Sequence, residues 1–157
     1  NSFRNLKIIA WTTLIFGLLM YFADTFNIKK KIEKDLTIKN ILIIGVMQIL
    51  AVIPGVSRSG ITITAGRFLN FDRHDSTKIS FYLSIPALMG ASVLSLKDVV
   101  NENIEFNFLL IISIILSFIF SYLTIKYFLI YTKKFSLKFF VIYRIILSIM
   151  IFLIIYN

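Results

Sequence analysis

Residues 52–60 read Val-Ile-Pro-Gly-Val-Ser-Arg-Ser-Gly, and Ile-Thr follow. Arg58 stands among three hydroxyls (Ser57, Ser59 and Thr62) and between two glycines, Gly55 and Gly60. A guanidinium presents a planar fork of N–H donors that matches phosphate oxygens, and the hydroxyls add single donors close by. Pro54 and Gly55 interrupt a helix. A helix restarting near Ile61 turns unpaired N–H groups and its positive dipole end toward the same spot. The glycines let backbone approach a ligand closely. This pattern predicts an anion site suited to phosphate, formed by Arg58, Ser57, Ser59, Thr62, Gly55 and Gly60. A structural kink, with Arg58 snorkelling or paired to a buried carboxylate, fits the same residues.

The elements around this stretch must place it in a membrane. The chain has 157 residues, 58% of them hydrophobic, 16 of them Phe, and a mean hydropathy of +0.86. Its apolar runs are Leu6–Ala23, Ile41–Ile53, Ile79–Leu96, Phe106–Ile125 and Phe139–Tyr156. Crossing the hydrocarbon core takes roughly 17–25 apolar residues as a helix. Four runs reach that length and the second, with 13 residues, does not. It ends at Pro54-Gly55, and "ITITAGRFLNF" resumes after the polar loop. Two half-length helices joined in this way predict a re-entrant hairpin over about 41–71, since broken helices at membrane depth line cavities. The expected fold is all-α and integral to the membrane: four transmembrane helices plus the hairpin, in one domain over 1–157.

Charge placement tests that layout. The formal net charge is +9, but the lysines cluster in the linkers between apolar runs, which leaves no basic face for nucleic acid. If the hairpin leaves on the side it enters, linkers 24–40, 66–78 and 126–138 share one face and collect twelve of the 17 Lys and Arg. The positive-inside rule makes that face cytoplasmic and puts the C-terminus outside. Arg4 and Lys7 fall on the other side, against the trend. With no Cys, disulfides and thiolate metal sites are excluded.

Other residues carry weaker signals. His74, the one histidine, lies in a charged linker and reads as a solvated residue. Asp72 and Asp75 flank it, but no further ligand completes a metal set. Arg144 lies six positions into the last run, where snorkelling to the cytoplasmic interface and a buried role fit equally. Gln48 has a structural role by default. Thr64 stands six residues after Arg58, where phosphatases of the phosphatidic-acid type carry a histidine; that family is excluded.

"PGVSRSGITI" resembles the second signature of the undecaprenyl-diphosphate phosphatases of the bacitracin-resistance type. The resemblance continues through "SFYLSIPALMGA" to "FVIYR" at Phe140–Arg144 and includes Gln48. It implies an enzyme of the bacterial inner membrane that removes the terminal phosphate of undecaprenyl diphosphate, regenerating the lipid carrier of cell-wall synthesis. It also implies two inverted repeats that each give a hairpin to a central site, and a divalent cation (Mg or Ca) as cofactor. Arg58 would grip the diphosphate while Ser57, Ser59 and Thr62 share its oxygens.

The departures are specific. The family's first signature, a glutamate-rich stretch followed by Ser/Thr, Gly and His, does not occur in these residues. With Asn1 rather than Met at the start, this predicts the C-terminal portion of a longer enzyme, inactive without the half that would supply nucleophile, base and metal ligands. Ile79 and Asn70 stand where Phe and Gly are common. The expected partners are a polyprenyl diphosphate, the bilayer and the missing half of the same protein, with a homodimer as a further option. Transport of a polyprenyl phosphate without cleavage fits the same pattern.

Overall fold

A computed structural model describes residues 6–26, 30–101 and 108–156 of the chain, without the side chains of 97–101. The described elements are helical: α1 (Leu6–Thr25), α2 (Ile32–Asp35), α3 (Ile38–Gln48) continued by a 3-10 turn (Ile49–Val52), α4 (Arg58–Phe68), α5 (Arg73–Asn101), α6 (Phe108–Lys134) and α7 (Lys138–Tyr156). Four helices are long and apolar enough to cross a membrane: α1, the first 24 residues of α5, α6 and α7. They correspond to the four long runs. Arg4 and residues 102–107 lie outside the described residues.

α1 and α7 form the closest pair, and small residues explain why. Ala10 is fully buried, and the Ser148 hydroxyl donates to its carbonyl at 2.8 Å. Trp11 meets Phe152 edge to face at 5.2 Å. At Gly17 a Cβ would sit 3.3 Å from the Arg144 Cβ, so the glycine sets how near the helices come. Small residues at the contact and a hydroxyl bonded across it are how helices associate where no water drives them together. α6 behaves differently: none of its residues from Phe108 to Tyr131 is buried.

The short second run becomes the α3–α4 hairpin. Thr37 caps α3, its hydroxyl accepting from the Asn40 N–H at 3.3 Å. At the far end, the Phe71 N–H donates to the Gly66 carbonyl and the Asn70 N–H to the Arg67 carbonyl. With Asn70 at φ 69, this is a Schellman close, which needs a left-handed residue. Asn tolerates that conformation better than most residues, so it can stand where glycine is common. Asn70→Ala is expected to cost about 1 kcal/mol and Asn70→Gly nothing measurable, read as thermal unfolding in detergent.

Both ends of the hairpin return to one end of the bundle. The Lys30 N–H donates to the Asn70 carbonyl at 3.0 Å, and the Ile32 N–H to Asp75 Oδ2 at 2.9 Å. Two buried clusters run beneath: Ile44, Ala65, Phe71 and Ile79 tie α3, α4 and α5, while Met20, Ile63, Leu137 and Val141 tie α1, α4 and α7. α4 is thus enclosed, with Gly60 to Arg67 all buried.

Candidate anion-binding site

The loop between the half-helices is held on α1. Gly55 has φ +89, and a Cβ there would collide with the Thr12 hydroxyl and lie 2.8 Å from the Ile9 carbonyl oxygen. Only glycine meets both requirements. The Thr12 hydroxyl donates to the Pro54 carbonyl at 2.6 Å, and Thr13 reaches the Gly55 carbonyl at 3.4 Å. The loop tip therefore lies beside α1 residues 9–13, well away from the end where the hairpin begins.

α4 starts at Arg58, three residues earlier than the expected restart near Ile61. The reason is the cap. Ser57 is extended, and its hydroxyl accepts from the Gly60 N–H at 3.1 Å; a serine at this position satisfies one of the orphan donors of the first turn. The Arg58 and Ser59 N–H groups have no acceptor within the helix. Ser57 Oγ also lies 3.2 Å from Ser59 Oγ. Accepting from Gly60 leaves the Ser57 hydroxyl its own proton to donate.

The structure divides the predicted residues by helical phase. Ser57, Ser59, Gly60 and Ile63 line one cavity, together with Met20, Phe128, Phe140, Tyr143 and Arg144. An adjoining cavity shares Ser57, Tyr143 and Arg144 and reaches Gly55, Val56 and Thr13. Thr62 is 1% exposed, with its hydroxyl 2.7 Å from Ser80 Oγ between α4 and α5. Arg58, four residues before Thr62, shares that side of α4. It is half-buried; its carbonyl accepts from the Thr62 hydroxyl at 3.0 Å, while its guanidinium has neither hydrogen bond nor ion pair among the described residues.

Arg144 is the group that local sequence reasoning did not place. Its stem packs on Gly17, eight residues before the end of α1 and so about 12 Å along the helix from that end. Its Nη2 lies 3.6 Å from where a Gly60 Cβ would be. The guanidinium therefore faces the first turn of α4, in ordinary contact range of position 60, where the Ser57 Cβ at 3.1 Å would be the tighter neighbour of a side chain. No carboxylate pairs with it among the described residues. The one available signal was an arginine inside an apolar run with no acidic residue within helical reach.

A second charged cluster sits at the other end of α4. Asp24 is 7% exposed and accepts from Arg73 Nε at 2.6 Å, Arg73 Nη2 at 3.2 Å and the Leu137 N–H at 3.2 Å. Arg67, 1% exposed, has Nε 3.6 Å from the same carboxylate. Its Nη groups donate to the carbonyls of Phe71, Asp24 and Phe26 at 3.0 Å each. Burial pushes the Arg67 pKa down from its ordinary value and Asp24 opposes that shift. The linkers expected to be solvated thus contain a buried latch joining α1, α4, α5 and the α6–α7 turn. His74 belongs to its margin: it lies in the first turn of α5, with Nδ1 3.1 Å from the Leu129 carbonyl oxygen.

The donor set at the loop does not fit a divalent cation. It consists of a guanidinium, hydroxyls and N–H groups, whereas Mg and Ca take oxygen ligands, carboxylates foremost. Among the described residues no three His, Cys, Asp or Glu side chains gather to hold a metal.

Among the described residues, a guanidinium without a carboxylate partner thus stands beside a capped helix start and two serines, a set of donors. Comparison with known proteins shows the family. Residues 1–150 match the family model described as bacitracin resistance protein BacA. The chain belongs to the BacA family. It is 63% identical over 154 residues to a protein of Pelagibacter ubique (strain HTCC1062) named undecaprenyl-diphosphatase, covering 98% of this chain and 60% of that protein. A namesake from Elusimicrobium minutum (strain Pei191) is 45% identical over 134 residues, covering 84% of this chain and 50% of the relative. One from Alcanivorax borkumensis is 38% identical over 130 residues, at 82% and 49%. This BacA-family chain thus spans about half to three-fifths of the length of the relatives it matches.

Proposed function

We propose that this BacA-family chain supplies the diphosphate-gripping part of an undecaprenyl-diphosphate phosphatase. The observation that carries the reading is the unpaired Arg144 guanidinium facing the Ser57-capped start of α4. The family name of the relatives selects the substrate class. In the reaction, water adds to the terminal phosphorus, the bond from that phosphorus to the bridging oxygen breaks, and inorganic phosphate leaves. The prenyl monophosphate keeps the bridging oxygen.

Charge grows on the bridging and equatorial oxygens as that bond breaks. Arg144, the Ser57 and Ser59 hydroxyls and the N–H groups of the first turn are in place to meet it, and fixed donors of this kind lower the barrier. Arg58 approaches from the opposite side of α4 to close the grip. The groups that activate water are assigned to the glutamate-rich signature of the family, in the length this chain does not span. A divalent cation, where the complete enzyme uses one, would be held there, and no step here runs through it.

The hairpin is read as re-entrant, entering and leaving on the cytoplasmic side of the inner membrane, with the end of α7 outside. The ties of Asp24 to Arg73 and Leu137 and of Lys30 to Asn70 support that reading, since they bring described residues of the three linkers richest in Lys and Arg together. The test is phosphate release from undecaprenyl diphosphate in detergent by the complete gene product. Turnover is expected. Binding of the lipid without any phosphate release would discard hydrolysis in favour of transport.

A further inference from the structure

The cavity that receives Arg144 has two chemically different ends. At one end stand the guanidinium and the Ser57 and Ser59 hydroxyls; the remainder is apolar, with Ile63, Phe128 and Phe140 as its wall. A site for free phosphate or pyrophosphate has no use for such a wall, since an anion keeps water on the sides that the protein leaves unpaired. The rings are fixed among themselves. Phe128 meets Phe81 at 6.0 Å and Phe140 at 5.3 Å, both edge to face, and Phe140 meets Tyr131 at 5.7 Å. Yet Phe128 and Phe140 are only half-buried, so each keeps a free face. Beyond Phe128 toward its N-terminus, α6 buries nothing, and Tyr143 on α7 is 59% exposed. The exposed stretch of α6 ahead of Phe128 and the exposed Tyr143 thus leave apolar surface beside the cavity.

We propose that Phe128, Phe140 and Tyr143 determine specificity by seating the first isoprene units of the substrate. The diphosphate lies under Arg144, the proximal prenyl chain lies against the two phenylalanine rings, and the remainder passes Tyr143 into the lipid between α6 and α7. This rests on the proposed function for the identity of the head group. The occupant follows from one cavity joining a cation to an aromatic wall, which is complementary to a phosphorylated amphiphile rather than to a bare anion or a bare hydrocarbon.

The test uses the complete gene product in detergent and a farnesyl diphosphate analogue carrying a diazirine on its first isoprene unit. After irradiation, the label is expected on peptides containing Phe128, Phe140 or Tyr143, and is lost with excess farnesyl diphosphate. Phe140→Trp, which fills the cavity, and Tyr143→Ala, which alters only an exposed side chain, are each expected to raise the KM for farnesyl diphosphate about tenfold, the scale on which apolar pockets discriminate. The Ki of inorganic pyrophosphate, which has no chain, should move less than twofold. Label on the exposed face of α5 or elsewhere in the protein overturns the proposal, as does an equal rise in the pyrophosphate Ki for both variants. A labelled wall in a protein that releases no phosphate would leave the seat standing and overturn the hydrolytic reading instead.

Discussion

Arg144→Ala in the complete gene product is expected to lower kcat/KM for undecaprenyl diphosphate by at least about a hundredfold, or about 2.7 kcal/mol of transition-state stabilisation. The magnitude follows from position. The arginine stem packs on Gly17, about 12 Å inside the end of α1, and the guanidinium faces the start of α4 near Gly60. With no carboxylate partner among the described residues, its removal strands no opposite charge. Folding should therefore survive, and the loss should appear in turnover rather than in yield or melting temperature. Arg144→Lys should recover only part of the activity, because an ammonium cannot bridge two oxygens with a planar fork. A near-parental kcat/KM for the alanine variant would remove Arg144 from the site.

Asp24→Ala is expected to act on stability instead. Removing one member of a buried ion-pair cluster leaves uncompensated charge and typically costs about 3–5 kcal/mol. Here Arg67 would keep its three carbonyl acceptors but lose its counter-charge, and the α6–α7 turn would lose the Leu137 tether. For a chain of this size that amounts to a fall of about 6–20 °C in melting temperature. Asp24→Asn should fall nearly as far, since it keeps the shape and loses the charge. A change of less than 2 °C in either variant would show that the cluster does not hold the linkers together.

These two residues mark where the sequence was legible and where it was not. The four long helices follow from runs of 18–20 apolar residues, and the broken second run follows from its 13-residue length and Pro54-Gly55. Such signals are local, and so is the Ser57 cap once the helix start is known. The three-residue error at that start has a phase consequence. Spacing alone groups Thr62 with Ser57 and Ser59, whereas helical rotation turns it to Ser80. Arg144 and Asp24 depend on partners far along the chain, Gly60 and Gly17 for one, Arg67, Arg73 and Leu137 for the other. Asp24 looks like a linker residue because it ends an apolar run, and nothing near it in sequence shows that two arginines converge on it. The family signature pointed to Arg58 and its neighbours; it took the packing of α7 on α1 to bring a second arginine to the other side of the same helix turn.

That second arginine makes the account testable by coupling. The measurement to make is phosphate release from undecaprenyl diphosphate by the complete gene product as parent, Arg58→Ala, Arg144→Ala and the double variant. If both guanidiniums grip one diphosphate, each single variant loses at least about a hundredfold, and the double variant loses well under the product of the two, as groups acting as a unit do. If either single variant hydrolyses the lipid as fast as the parent, the start of α4 is not the diphosphate site.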